Sequence, residues 1–179
     1  MKHEVETELK MLLKSEDVRK LLAGSFKNIP FIHQLNTYYR SNNHTHYAFR
    51  IRQKNGESLF TLKEHRDGEV VEHEKIVSCP LEQDKELLNL LASFNEYPPF
   101  EVLGQLSTLR ADLITDKAVI SLDINFYNGK TDYEIEYEVS EPHDHDAEFK
   151  RFLSKHDIKF KPNHRSKYKR FLKSLKEEH

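Results

Sequence analysis

The residues of this chain that could do chemistry come in charged sets spaced two apart. Glu4, Glu6, Glu8 and Lys10 take every second position of "EVETELK". Arg50 and Arg52 repeat that spacing in "YAFRIRQK", as do Thr61, Lys63 and His65 in "LFTLKEH", and Glu72 and Glu74 in "VVEHEKIV". Further on come Arg110 and Asp112 in "STLRADL", Asp123 and Asn125 in "VISLDINF", and Glu134, Glu136 and Glu138 in "DYEIEYEV". Clustered carboxylates with no Cys and no paired His suit a hard divalent cation with oxygen ligands, Mg²⁺ or Mn²⁺. Arg forks and Lys point charges suit phosphate oxygens. Together these groups describe a phosphate chain held by bases and attacked with the help of a metal.

A spacing of two is the period of a β-strand, so strands must carry these residues. Alternation predicts strands over 3–13, 31–41, 47–54, 59–65, 70–78, 100–114, 117–130 and 131–140. "NGES", "RDGE" and "YNGK" are hairpin turns, which makes the pairing antiparallel. Helices are expected after Ser15 as a cap, after Pro80, over 144–156, and from Pro162 as a first helical residue. The predicted class is α+β. An antiparallel sheet with one wet face would also alternate in this way. These faces, however, are almost purely charged, and like charges two apart on one strand repel. An interior site explains that arrangement better. It requires the faces to converge, as in a closed eight-stranded antiparallel β-barrel with a charged interior and helices packed on the outside.

The bulk numbers fit one domain over residues 1–179. A net charge of −2 gives no polyanion-binding signature. Cys79 stands alone, which excludes an intrachain disulfide framework and fits a cytoplasmic protein. The charged N-terminus does not read as a signal peptide, and no apolar run is long enough to span a membrane. No G-x-x-x-x-G-K-[ST] motif is present. His143, Asp144, His145 and Asp146 could suggest a metal site, but they sit where a helix start wants acidic caps. His44 and His46 read as a polar turn. The bases around the C-terminal "SKYKRF" read as a solvated helix face, with one or two turned toward the site.

"EVETELK" carries E-x-E-x-K as Glu6, Glu8 and Lys10. Followed in order by "FRIR", "TLK", "VEHE", "LR", "SLD" and "YEIEYE", it resembles the CYTH superfamily, the triphosphate tunnel metalloenzymes, in their short bacterial branch of Gram-positive type. The resemblance covers nearly the whole chain. It implies an eight-stranded tunnel, a Mg²⁺ or Mn²⁺ cofactor and a small-molecule triphosphate substrate. It implies that Glu6, Glu8, Asp123, Glu134 and Glu136 hold the metal, with water activation on the second acidic wall at Glu136. It implies that Lys10, Arg50, Arg52, Lys63 and Arg110 bind phosphate, and that Lys167 closes over it. Lys10, Arg110 and Glu136 are the expected catalytic residues, and Glu72 and Glu74 match an acidic central strand. Inorganic triphosphate is the first expected substrate and thiamine triphosphate the second. A class IV-type adenylate cyclase and a non-catalytic polyphosphate sensor remain as alternatives, because such motifs read phosphates and not the leaving group. Neither nucleic acid nor membrane is expected as a partner, and a homodimer is left open.

Overall fold

The computed structural model describes residues 1–41 and 47–177, the side chains of residues 3–6 excepted. His44 and His46 lie outside the described residues. The strands are β1 (Lys2–Glu6), β2 (Glu8–Leu13), β3 (Ile32–Ser41), β4 (Phe49–Lys54), β5 (Glu57–Arg66), β6 (Glu69–Ile76), β7 (Phe100–Ile114), β8 (Ala118–Tyr127) and β9 (Lys130–Val139). The helices are α1 (Ser15–Ala23), α2 (Lys85–Ser93), α3 (His145–Ser154) and α4 (Lys167–Glu177). The strand expected over 3–13 is interrupted at Thr7. Its first part pairs β6 and its second part pairs β9, so eight expected strands become nine. The pairings β1–β6, β2–β9, β3–β4, β4–β5, β5–β6, β7–β8 and β8–β9 are antiparallel. The three hairpin turns put Asn55–Gly56, Asp67–Gly68 and Asn128–Gly129 at positive φ, the geometry that matches the twist of the strands they join.

The chain divides into two compact units: residues 1–6 with 34–106, and residues 7–33 with 107–179. In the first, β1, β6, β5, β4, β3 and the start of β7 are neighbours in that order. One face of this sheet carries Phe49, Phe60 and Leu62, packed against Leu87 and Leu91 of α2. In the second unit, the end of β7 is followed by β8, β9 and β2. Its apolar face, with Met11, Ala111, Leu122, Ile135 and Tyr137, is covered by Val18 and Leu21 of α1 and Phe149 and Leu153 of α3. Burying such side chains contributes roughly 1.5–3 kcal/mol each and fixes which face of every strand turns away from these helices. That other face holds the charge.

Three local expectations change. Lys14 precedes α1 as its cap residue, and Asp17 Oδ2 accepts from Lys14 N–H at 3.0 Å, so Ser15 is already helical. The last helix begins at Lys167 and not at Pro162. Asn163 N–H is held by Lys10 O at 2.8 Å, and Ser166 Oγ caps the helix by accepting from Lys169 N–H at 3.2 Å. Most importantly, α4 does not join the helices on the apolar face. Lys167 and Arg170 bond to carboxylates of β8 and β9 on the charged face, and Phe171 packs against Tyr127 there.

Candidate active site

In the second unit the cross-strand register builds the site. Arg110 lies opposite Asp123, Asp123 opposite Glu134, and Lys10 opposite Glu136. Because side chains alternate along each strand, all of these emerge on the face away from α1 and α3. Asp123, Glu134 and Glu136 each present a carboxylate oxygen, and the three oxygens lie within 4.8 Å of one another. Asp123 and Glu134 are fully buried. Arg110 forks onto Asp123 at 2.7 and 2.6 Å and also donates to Glu136. Lys167 Nζ donates to Asp123 and to Glu136 Oε1 (2.6 Å), and lies 3.2 Å from Glu134 Oε1. Glu8 and Lys10 pair with each other on β2.

The three carboxyls do not titrate alike. Burial pushes Asp123 and Glu136 up, but the Lys167 ammonium and the Arg110 guanidinium outweigh it. Asp123 is held below its ordinary value and Glu136 well below. At Glu134 burial prevails, helped by the neighbouring Glu136 charge, and its carboxyl is raised despite Lys167 and Arg170. Lys167 is raised by its three carboxylates although burial opposes this.

In the first unit the register sets Tyr38 opposite Arg50, Arg50 opposite Thr61, and Thr61 opposite Glu74, with Lys63 opposite Glu72. Arg52 Nε bonds Asn36 Oδ1 at 2.9 Å, Lys63 bonds Glu72 at 2.7 Å, and Thr61 Oγ1 bonds Glu74 at 3.1 Å. Arg50 Nε is buried without a hydrogen-bond partner. Burial would raise Glu72, but Lys63, Arg50 and Arg52 hold it below its ordinary value.

The sequence-predicted residues therefore gather in two sets. Glu8, Lys10, Arg110, Asp123, Glu134, Glu136 and Lys167 share the charged face of the second unit. Arg50, Arg52, Lys63, Glu72 and Glu74 share that of the first. The side chains of Glu4 and Glu6 lie outside the described residues. Sequence reasoning missed Arg170, Asp132 and Asn163, which bond to one another or to Glu134. Two signals were available: Asp132 continues the alternation of Glu134 and Glu136, and Arg170 stands one helical turn after Lys167. In the His143–Asp146 stretch the side chains have other partners. Asp144 caps α3 by accepting from Ala147 N–H at 3.2 Å, and His143 spends its ring nitrogens on Tyr137 OH (2.8 Å) and Glu141 O (2.6 Å).

Residues 4–171 match the CYTH domain. The chain belongs to the CYTH family. It is 30% identical over 172 residues to the Bacillus subtilis (strain 168) protein named "Putative triphosphatase YjbK", covering 88% of this chain and 90% of that one. Among solved structures it resembles the one called a "putative adenylate cyclase" from Bacillus halodurans, with a TM-score of 0.81 and 26% identity over 96% of this chain and 99% of the other. It also shares its fold with the Hippeastrum protein HpAC1, named an adenylyl cyclase and described as having a dominant triphosphatase activity. That match has a TM-score of 0.75 and 22% identity over 94% and 95% of the two chains. The CYTH assignment agrees with an antiparallel sheet whose charged face carries acids and bases together.

Proposed function

We propose that this chain is a divalent-metal-dependent phosphohydrolase acting on a triphosphate, inorganic triphosphate first and thiamine triphosphate second. One observation carries the reading: the Asp123, Glu134 and Glu136 oxygens converge on a single cationic point, filled by Lys167 Nζ. Glu134 Oε1 is buried there without a hydrogen bond. An all-oxygen, anionic donor set, one oxygen of which has an ion pair but no hydrogen bond, fits Mg²⁺ or Mn²⁺. Glu6 and Glu8 complete the proposed ligand set. When bound, the ion would supply charge neutralisation at the phosphate oxygens.

The protein's own groups do the rest. Arg50, Arg52 and Lys63 bind and orient the phosphate chain. Lys10 and Arg110 offset the charge that develops on the terminal phosphate. Lys167 exchanges its carboxylates for phosphate oxygens. Glu136, held ionised, orients the attacking water for in-line displacement. The same reading keeps residues 1–179 as one functional domain in the cytoplasm. Among the described residues, no helix is long and apolar enough to cross a membrane.

The cyclase reading is the second, because relatives of this fold carry that name. A sensor that only bound polyphosphate would need the bases but not the acids, and both are kept here. The deciding experiment measures phosphate and pyrophosphate release from triphosphate, thiamine triphosphate and ATP, with Mg²⁺ and Mn²⁺ compared. Phosphate release from triphosphate supports the proposal. Cyclic AMP with pyrophosphate from ATP replaces it with the cyclase, and binding without turnover replaces it with the sensor.

A further inference from the structure

The second unit contains a feature that the reading above does not use, although the inference from it rests on that reading of the acidic cluster. The two oxygens of Glu134 have opposite surroundings. Oε2 accepts from Arg170 Nη1 at 2.8 Å and from Asn163 Nδ2 at 3.1 Å. Oε1 accepts no hydrogen bond; it faces the point shared with Asp123 and Glu136, where Lys167 Nζ lies 3.2 Å away as its ion pair. We propose that Asn163 and Arg170 are positioning residues that saturate Glu134 Oε2 and so present Oε1 to the divalent cation.

Both donors are themselves fixed. Asn163 N–H is tied to Lys10 O at 2.8 Å. Its Oδ1 accepts from Arg165 N–H at 3.1 Å, which sets the amide so that Nδ2 is the end facing Glu134. Arg170 is buried and spans two carboxylates, with Nε on Asp132 Oδ2 at 2.9 Å and Nη1 on Glu134. Asp132 is anchored in turn by Asn125 Nδ2 at 2.9 Å and Tyr127 OH at 2.5 Å. Both donors also bond to Arg165 O, each at 2.9 Å, so the approach to α4 and the Glu134 carboxylate are clamped by the same two side chains. Arg170 has Nε and Nη1 engaged on Asp132, Glu134 and Arg165 O. Its work is geometric. It holds Oε1 at the point where Lys167 Nζ now lies and where the cation would take its place. Loss of such outer partners characteristically weakens a metal site about 10- to 100-fold.

The test titrates Mn²⁺ alone into the full chain and follows free Mn²⁺ by its EPR amplitude, with melting temperatures recorded alongside. The proteins are wild type, Glu134→Gln, Asn163→Ala, Arg170→Lys and Phe149→Leu. Arg170→Lys keeps the charge and loses the fork. Phe149→Leu destabilises the apolar face without touching the site. The expected result is Mn²⁺ binding weakened about tenfold or more in Asn163→Ala and Arg170→Lys, with Phe149→Leu close to wild type. If wild type and Phe149→Leu bind Mn²⁺, Glu134→Gln does not, and the two positioning variants bind as wild type does, the inference is wrong while the metal reading stands. If Phe149→Leu loses as much affinity for the same fall in melting temperature, the effect is merely structural and the inference is equally lost. Wild type that binds no Mn²⁺ removes both the inference and the reading beneath it.

Discussion

On the charged face of the unit built from β7, β8, β9 and β2, the buried carboxylates meet buried cations. Arg110, Lys167 and Arg170 answer Asp123, Glu134, Glu136 and Asp132. On the charged face of the unit built from β3 to β6, the bases are looser. Arg50 Nε is buried with no partner, and Lys63 is 37% exposed beside Glu72. α4 lies on the charged face of the β7, β8, β9 and β2 unit, while α2 packs on the apolar face of the β3 to β6 unit. A face whose charges are already matched holds its shape without a ligand. A face with a guanidinium nitrogen buried and without a hydrogen bond has bonding capacity in reserve for an anion. On this comparison, substitutions in the two faces should separate stability from substrate binding.

The largest expected effect is on stability, in the matched face. Arg110→Ala would leave Asp123 and Glu136 short of a buried cation, which should cost about 3–5 kcal/mol in the metal-free protein. Urea denaturation would measure it, and a loss below about 1 kcal/mol would break the comparison. The next effect is on binding, in the looser face. Arg50→Ala removes one of three cations near Glu72 and should cost under about 1 kcal/mol of stability. It should lower kcat/KM for triphosphate by about 10- to 100-fold, the equivalent of one charge-assisted contact of about 1.5–3 kcal/mol. Steady-state kinetics beside a melting curve test both halves. A variant that unfolds as easily as Arg110→Ala would show that Arg50 is a structural ion after all.

The same contrast marks what could be read from the sequence. Strands legible by alternation carried almost every charged residue of both faces, because a period of two fixes the face once one side is apolar. "YEIEYE" put Glu134 and Glu136 together, and "FRIR" did the same for Arg50 and Arg52. The placement of α4 was not legible. Its stripe of Tyr168, Phe171, Leu172 and Leu175 fits any apolar surface, and only the three-dimensional position of Tyr127 and the β9 carboxylates selects the charged side. Arg170 was passed over for a related reason. Among five bases on one helix, sequence gives no sign of which two turn to the carboxylates. Pro162 misled because proline is permitted at a helix start, whereas the chain there is drawn onto β2 by Asn163.

A third prediction uses the unequal carboxyls of the matched face, and its signs differ between neighbours. Asp123 titrates below its ordinary value in the folded protein. Its stabilisation is therefore complete above the ordinary carboxylate pKa of about 4 and is lost as pH falls below that. Glu134 is raised, so the folded state takes up its proton before the unfolded state does, and stability gains as pH falls through the raised value. Measured as the difference from wild type between pH 8 and pH 3, Asp123→Asn should become relatively less harmful below about pH 4. Glu134→Gln should become relatively more harmful as pH falls, with the change beginning at a higher pH than for Asp123→Asn. Each slope is bounded by about 1.4 kcal/mol per pH unit for one proton. Slopes of the same sign would mean that the two carboxyls share one environment.

The smallest effect concerns the pair that most resembles an ordinary surface ion pair. Lys63 and Glu72 are 2.7 Å apart, yet the lysine is 37% exposed and Glu72 also feels Arg50 and Arg52. Removing Lys63 leaves Glu72 with two cations nearby, so Lys63→Ala should cost under about 1 kcal/mol of stability, as exposed pairs do. The same change should still weaken the rise in melting temperature that triphosphate and Mg²⁺ produce in wild type, because one phosphate contact is gone. A stability loss above about 2 kcal/mol would place Lys63 with Arg110, among ions the fold itself requires. An undiminished thermal shift would remove it from the substrate's contacts. Either result would redraw the line between the two faces at a residue whose geometry alone puts it on the binding side.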